Sequence, residues 1–182
     1  MAKSLAGHLL LASPTLVDPN FSRTVVLIGV HAPEGAMGVV LNRPSGASVA
    51  EAVPSLGDSA DALEPVFIGG PVQQSSIIFL GDYTDISSAG LLVVGSIGFP
   101  SSESDVAEIE DATSRRRIFA GHAGWGEGQL DEELERGDWI TEQALAEDLF
   151  SENPEDLWSA VLERKGGSYS LLARMPIDPS VN

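Results

Sequence analysis

Residues 24–41 hold Thr24-Val25-Val26-Leu27-Ile28, then Ala32-Pro33-Glu34-Gly35, then Ala36-Met37-Gly38-Val39-Val40-Leu41. The two apolar runs, one of them rich in β-branched residues, read as strands, and the proline- and glycine-containing connection reads as the turn of a hairpin. Neither run alternates apolar with polar. A strand that is apolar on both faces must be covered on both faces, so helices or a second sheet are required on each side of this hairpin.

Working outward, Leu9–Ala12 reads as a short strand, and Asp18-Pro19-Asn20 supplies turn chemistry between it and the hairpin. Downstream, Ser48–Pro54 has room for one helical turn, and Gly57–Pro65 is a polar, acidic connection expected to be mobile. Val66-Phe67-Ile68 runs into Gly69-Gly70-Pro71, and Ile77–Leu80 and Leu91–Val94 are two more strands. Val106, Ala107, Ile109 and Ala112 mark an amphipathic helix that leads into a strand at Ile118–Ala120. Gly121, Gly124, Gly126 and Gly128 then surround Trp125, a pattern read as a bend with the indole packed as its anchor or presented as a binding platform. Leu130–Arg136 forms a short helix with acid in its first turn. Asn153-Pro154 starts a helix buried through Leu157, Trp158, Val161 and Leu162 and stopped by Gly166-Gly167. Tyr169–Ala173 reads as the final strand, followed by a tail over 176–182. Strands outnumber helices without alternating regularly with them, so the expectation is one compact α+β domain over residues 1–182 with a bent, largely antiparallel or mixed sheet.

The 182 residues carry a net charge of −17, with 43% hydrophobic and 20% charged residues. Such a chain supports a well-buried core, while its charge repels phosphate backbones at long range and disfavours direct nucleic-acid binding. The absence of cysteine excludes disulfides, thiolate ligands and thiol catalysis. No apolar run reaches the length of a membrane span, and no convincing leader is present, so no membrane association and a cytoplasmic location are expected. His8, His31 and His122 lack the clustering a zinc site needs, so neither a metal nor a cofactor is expected.

Catalytic signatures are missing. Gly95-Ser96-Ile97-Gly98 is not a nucleophile elbow, and there is no Ser-x-x-Lys motif or phosphate-binding Walker loop. Gly124, Gly126 and Gly128 resemble a phosphate cradle, but Asp131, Glu132 and Glu133 follow at once and would repel the phosphate. Arg115, Arg116 and Arg117 are the chain's basic cluster, read as solvated or paired with Glu108, Glu110 and Asp111 rather than as a phosphate site. The candidate ligand-binding set is Asp18, Arg23, His31, Asn42 and Arg43 around the bend before the hairpin, with Trp125 and Gln129 as a second surface. Carboxylate, amide, imidazole and guanidinium together suit an anionic or planar polar ligand. The competing use of the same residues is to fix the bend through hydrogen bonds. No catalytic residue is assigned. The leading reading is a non-catalytic protein that binds a small anionic ligand or a protein partner. An enzyme using His31 with Asp18 on a small anionic substrate is the alternative, and homo-oligomerisation is left open.

Gly7-His8-Leu9-Leu10, Asp18-Pro19-Asn20-Phe21-Ser22-Arg23, Gly35-Ala36-Met37-Gly38, Leu41-Asn42-Arg43-Pro44, Gly69-Gly70-Pro71-Val72, Ala123-Gly124-Trp125 and Gly128-Gln129-Leu130 occur in an order that resembles the bacterial AlgH/YqgE family over nearly the whole chain. The closing Asp178-Pro179-Ser180-Val181-Asn182 is similar to members from high-GC bacteria. The resemblance implies a cytosolic α+β domain with strongly bent sheets around a small barrel-like core and no agreed biochemical activity. One branch has been associated with transcriptional regulation of exopolysaccharide. Two departures stand out. His122 replaces the tyrosine of the common Gly-Tyr-Ala-Gly-Trp form, and Gly81 follows Leu80 where relatives often carry a histidine.

Overall fold

The protein was analysed as a computed structural model that describes residues 3–176. In chain order the strands are β1 (His8–Ala12), β2 (Val25–Ala32), β3 (Gly35–Val40), β4 (Pro44–Ser48), β5 (Pro65–Ile68), β6 (Val72–Tyr83), β7 (Ala89–Val94), β8 (Ile97–Pro100), β9 (Thr113–Trp125) and β10 (Trp139–Gln143). The helices are α1 (Val49–Ala52), α2 (Val106–Ala112), α3 (Gln129–Glu135), α4 (Ala146–Leu149), α5 (Leu157–Lys165) and α6 (Tyr169–Leu172). One continuous sheet runs β10-β1-β2-β3-β9-β6-β8-β7, with β5 added parallel to β9 and β4 antiparallel to β5. Apart from the β5–β9 pair every ladder is antiparallel, so the α+β expectation with a bent, largely antiparallel sheet describes the molecule.

The hairpin of residues 24–41 sits in the middle of one half of the sheet, and its continuous apolar character is used on both faces. Leu9, Leu11, Val25, Leu27 and Val39 point to one side, where Leu157, Trp158, Val161 and Leu162 of α5 cover them. Leu10, Ala12, Val26, Ile28 and Val40 point to the other, where Trp125, Leu130 and Trp139 close the layer. A third cluster buries Val49, Leu56, Val66, Phe79, Ile109 and Ile118 beneath α1 and α2.

Strand β9 joins the two halves. Its first part pairs with β6 from Thr113 to Ala120, and its last residues pair with β3 from Ala123 to Trp125. Of the four glycines around Trp125, Gly121 and Gly124 therefore lie within a strand, while Gly126 and Gly128 form the turn that leads into α3. Gly121 reflects close backbone approach, because a Cβ there would run into the main chain of Gly70 and Val72. At Gly70 (φ 155°) and Gly69 a Cβ would run into the main chain of His122 and Gly121, so the Gly69-Gly70-Pro71 motif lets two strands touch. The sheet also curls. Gly29, at the bulge in β2, receives the ring of Phe99 from β8, and Gly7 lies against Val93 of β7, bringing the far edge back towards β1.

Several sequence readings are corrected. Tyr169–Ala173 is not a strand: Tyr169–Leu172 is helix α6, packed back on α5. A short apolar segment carries no reliable period, and here the chain has just left α5 through Gly166-Gly167, both at positive φ, while the edge next to β1 is already taken by β10. The Ile97–Pro100 strand was not foreseen, because Gly98 and Pro100 interrupt its pattern. Asn153 places a 3-10 turn over Pro154–Asp156, and α5 starts only at Leu157. The 57–65 connection is a series of hydrogen-bonded turns, with Glu64 and Ala62 carbonyls accepting from Val49 and Ala50. The tail reading and the motif at 178–182 fall on residues outside the described range.

Candidate functional site

Four of the residues expected to form a ligand site do gather at the bend before β2. The Asp18 carboxylate accepts from the Asn20 amide at 2.8 Å, closing the turn on itself. Asn42, just past β3, accepts from the Val25 amide and donates to the Arg23 carbonyl, both at 2.9 Å. Arg43 donates to the carbonyls of Asn20 at 2.7 Å and Ser22 at 3.0 Å. Burial pushes the Arg43 guanidinium below its ordinary range, while the charge of Asp18 works in the opposite direction. Arg23 adopts positive φ, lies over the Trp158 ring at 4.2 Å and donates to the Met175 carbonyl. These groups meet main-chain atoms of the bend and of the segment after α6. Asn42→Ala is expected to cost about 2 kcal/mol, because it strands a Val25 amide and an Arg23 carbonyl in a part-buried setting. Urea unfolding with unchanged m-value would show this.

His31 is elsewhere. It pairs with Ala36 at the turn end of the hairpin, away from Asn42, which follows the other end. Its Nδ1 accepts from the Leu5 amide at 3.0 Å, and its Nε2 lies 3.2 Å from Asp131. With Nδ1 accepting from a backbone amide, the ring's other nitrogen is the one that faces the Asp131 carboxylate. Trp125 is buried against Phe21 and Trp139, and its indole N–H donates to Glu133. Gln129 is exposed, with its side-chain oxygen accepting from the Gly126 amide at 3.0 Å.

A charged concavity lies at the arginine cluster of β9. Between Arg115 and Ile118 this strand is paired to β6 on one side only, because β5 joins the other side at Phe119. The open side is a cleft of about 460 Å³, walled by Asp61, Glu64 and Pro65 from the connection before β5 and by Phe150, Ser151, Glu152 and Pro154 from the loop before α5. Strand alternation sends Arg115 and Arg117 to one face and Arg116 to the other. Arg116 is pinned: it forms a 2.7 Å ion pair with Asp61 and donates to Glu110 and Thr113 carbonyls and to the Thr113 hydroxyl. Arg115 lies over the Phe150 ring at 4.2 Å and reaches Asp82 at 3.4 Å, its side chain 48% exposed. Arg117 lies over Phe67 at 4.4 Å, and its buried Nη1 has no hydrogen-bond partner among the described residues. Burial lowers its pKa first, Arg115 adds to that effect, and Glu64 opposes it from beyond ion-pair distance.

The expected partners Glu108, Glu110 and Asp111 are thus replaced by Asp61 and Asp82, which are distant in sequence; only the Glu110 carbonyl takes part. Three adjacent arginines were legible as a cluster. The signal that set them apart from a solvated run was their place next to the apolar 118–120 strand, where a charge is drawn towards the sheet instead of into water. Among the described residues, no group of three or more His, Cys, Asp or Glu side chains is placed to hold a metal ion, and no helix is long and apolar enough to cross a membrane.

The fold and these features can be set beside known proteins. The AlgH-like family model matches residues 9–170. The UPF0301 protein of Streptomyces avermitilis is 41% identical, covering 98% of this chain and 96% of its own, and that of Chlorobium chlorochromatii is 39% identical, covering 99% and 96%. Among solved structures, a protein from Corynebacterium diphtheriae matches with a TM-score of 0.84 at 29% identity, covering 94% of this chain and 93% of its own. The solution structure of the AlgH protein from Pseudomonas aeruginosa matches with a TM-score of 0.73 at 34% identity, covering 97% and 98%. With the model spanning most of the chain and relatives aligned from end to end, this protein belongs to the AlgH-like family.

Proposed function

We propose that the protein binds a small anionic ligand in the cleft on the open side of β9, and that Arg117, assisted by Arg115, holds it. The observation that carries this reading is the buried, unpartnered Nη1 of Arg117 inside a cleft of about 460 Å³. A guanidinium nitrogen drawn out of water without a hydrogen bond is costly, and an anion in the cleft would complete its coordination. The cleft lies within the range of small-molecule sites and combines apolar walls with a few convergent polar groups. Planar guanidinium edges suit carboxylate and phosphoryl oxygens. No nucleophile with an adjacent base supports a reaction here, so binding is the reading and a regulatory use of occupancy is its extension.

Calorimetric titration with inorganic phosphate and with citrate tests the proposal. Wild type is expected to bind at least one of them, and the double variant Arg115→Gln, Arg117→Gln to bind neither while still folding. Equal binding by wild type and variant, or none by wild type at millimolar anion, would move the site elsewhere.

A further inference from the structure

Anion recognition accounts for two of the cleft's arginines but not for its acids. Glu64 and Glu152 line the same cavity as Arg115 and Arg117, and a bare anion placed on the guanidinium edges would face their charge. Neither acid is consumed by an arginine of the cleft, whereas Asp61 is. Glu64 is near enough to Arg117 to favour its charged form, yet stands outside ion-pair distance, so a gap separates acid from base. A carboxylate and a guanidinium held apart across a cavity match a ligand with acceptors at one end and hydrogen-bond donors at the other.

Resting on the binding role proposed above, we infer that the ligand is a phosphorylated polyol: its phosphoryl group sits on Arg115 and Arg117, and its hydroxyls donate to Glu64 and Glu152. Two guanidiniums two residues apart on one strand face match a dianion, where an amino acid's single carboxylate would engage one of them. Hydroxyls satisfy carboxylates without adding charge, so the two acids favour sugar esters over free phosphate, which carries a similar charge but has no hydroxyls that reach them. The discrimination lies in hydrogen bonds that only the right anion makes. The rings of Phe67 and Phe150, stacked under the two guanidiniums, fix the arginine planes and provide apolar walls for the carbon chain.

The experiment is calorimetric titration of the full chain with inorganic phosphate, ribose phosphate, ribose and glutamate, repeated on Glu64→Gln. The Glu64 backbone carbonyl, not its side chain, carries the local turn, so this variant retains the fold. Ribose phosphate is expected to bind about tenfold tighter than inorganic phosphate to wild type, the equivalent of one or two good hydrogen bonds. In Glu64→Gln that preference shrinks to about threefold or less, because both anions gain alike from the lost repulsion while the sugar hydroxyl loses a charge-assisted hydrogen bond. Equal affinities for phosphate and ribose phosphate in wild type overturn the polyol assignment and leave the anion site standing. Tighter binding of glutamate than of ribose phosphate overturns it in favour of a zwitterion. Failure of both phosphate and ribose phosphate to bind removes the site itself.

Discussion

Asp148→Ala is expected to destabilise the protein by about 3 kcal/mol, because it breaks a bidentate ion pair on its buried side. Asp148 is 4% exposed. Its two oxygens take Nη1 and Nη2 of Arg164 at 2.8 and 2.9 Å, a fork-to-fork pair, and one of them also accepts from the Leu145 amide at 2.8 Å at the start of α4. The pair ties α4 to α5, the helix that covers the inner face of β1, β2 and β3. Hydrogen bonding to Asp148 raises the Arg164 pKa, and an arginine without that partner is still charged near neutral pH. Deletion therefore leaves a part-buried cation and an uncapped amide, two penalties of the kind that dominate large effects. Arg164 is still 32% exposed and can turn to water, which keeps the loss near the lower end for a buried pair. Urea unfolding at low salt, with Glu147→Ala as the neighbouring surface control, checks it. A loss below about 1 kcal/mol would mean that the pair behaves as an ordinary surface contact.

What could be read from the residues followed from how local the determining physics was. The hairpin of residues 24–41 was legible because continuous apolar runs around a proline- and glycine-containing turn leave few alternatives, and both faces are indeed covered. Helix α5 was legible through the spacing of Leu157, Trp158, Val161 and Leu162. Helix α6 was not, since Tyr169–Leu172 is one turn long and its state is decided by packing on α5. The course of β9 was obscured for another reason. Glycine lowers strand propensity locally, but Gly121 is needed where the main chains of β6 and β9 approach, a requirement visible only once the partner is known. The same holds for the sites. Asp18, Arg23, Asn42 and Arg43 meet at the base of the hairpin, but their partners are main-chain carbonyls and amides that no motif encodes. Arg116 and Arg117, adjacent and identical in sequence, differ entirely in role because alternation puts one against Asp61 and the other over Phe67.

Arg117→Met should act in opposite directions on stability and binding, and this opposition separates a ligand site from a structural arginine. In the ligand-free protein the Arg117 stem and guanidinium lie over Phe67 with Nη1 buried and unpaired, and burial already lowers the pKa. Methionine keeps an unbranched apolar stem as far as the position of Nε, within reach of the ring, and removes a polar group that has no partner. The variant is expected to gain about 1 kcal/mol, on the scale set by an unsatisfied buried donor. Loss of the attraction of Glu64 for the cation and of the guanidinium's contact with Phe67 offsets part of this. Anion affinity should fall by about two orders of magnitude, because charge-assisted hydrogen bonds to a guanidinium are among the strongest polar contacts available. Thermal unfolding in the absence and presence of saturating anion reads both effects at once. The variant melts above wild type without ligand, and only wild type is raised by ligand, since stabilisation follows occupancy of the folded state. If instead the variant melts several degrees lower in the absence of ligand, Arg117 is a structural residue whose cation is worth more over Phe67 than its burial costs. The cleft would then lose its central argument, leaving Arg115 alone to face any anion.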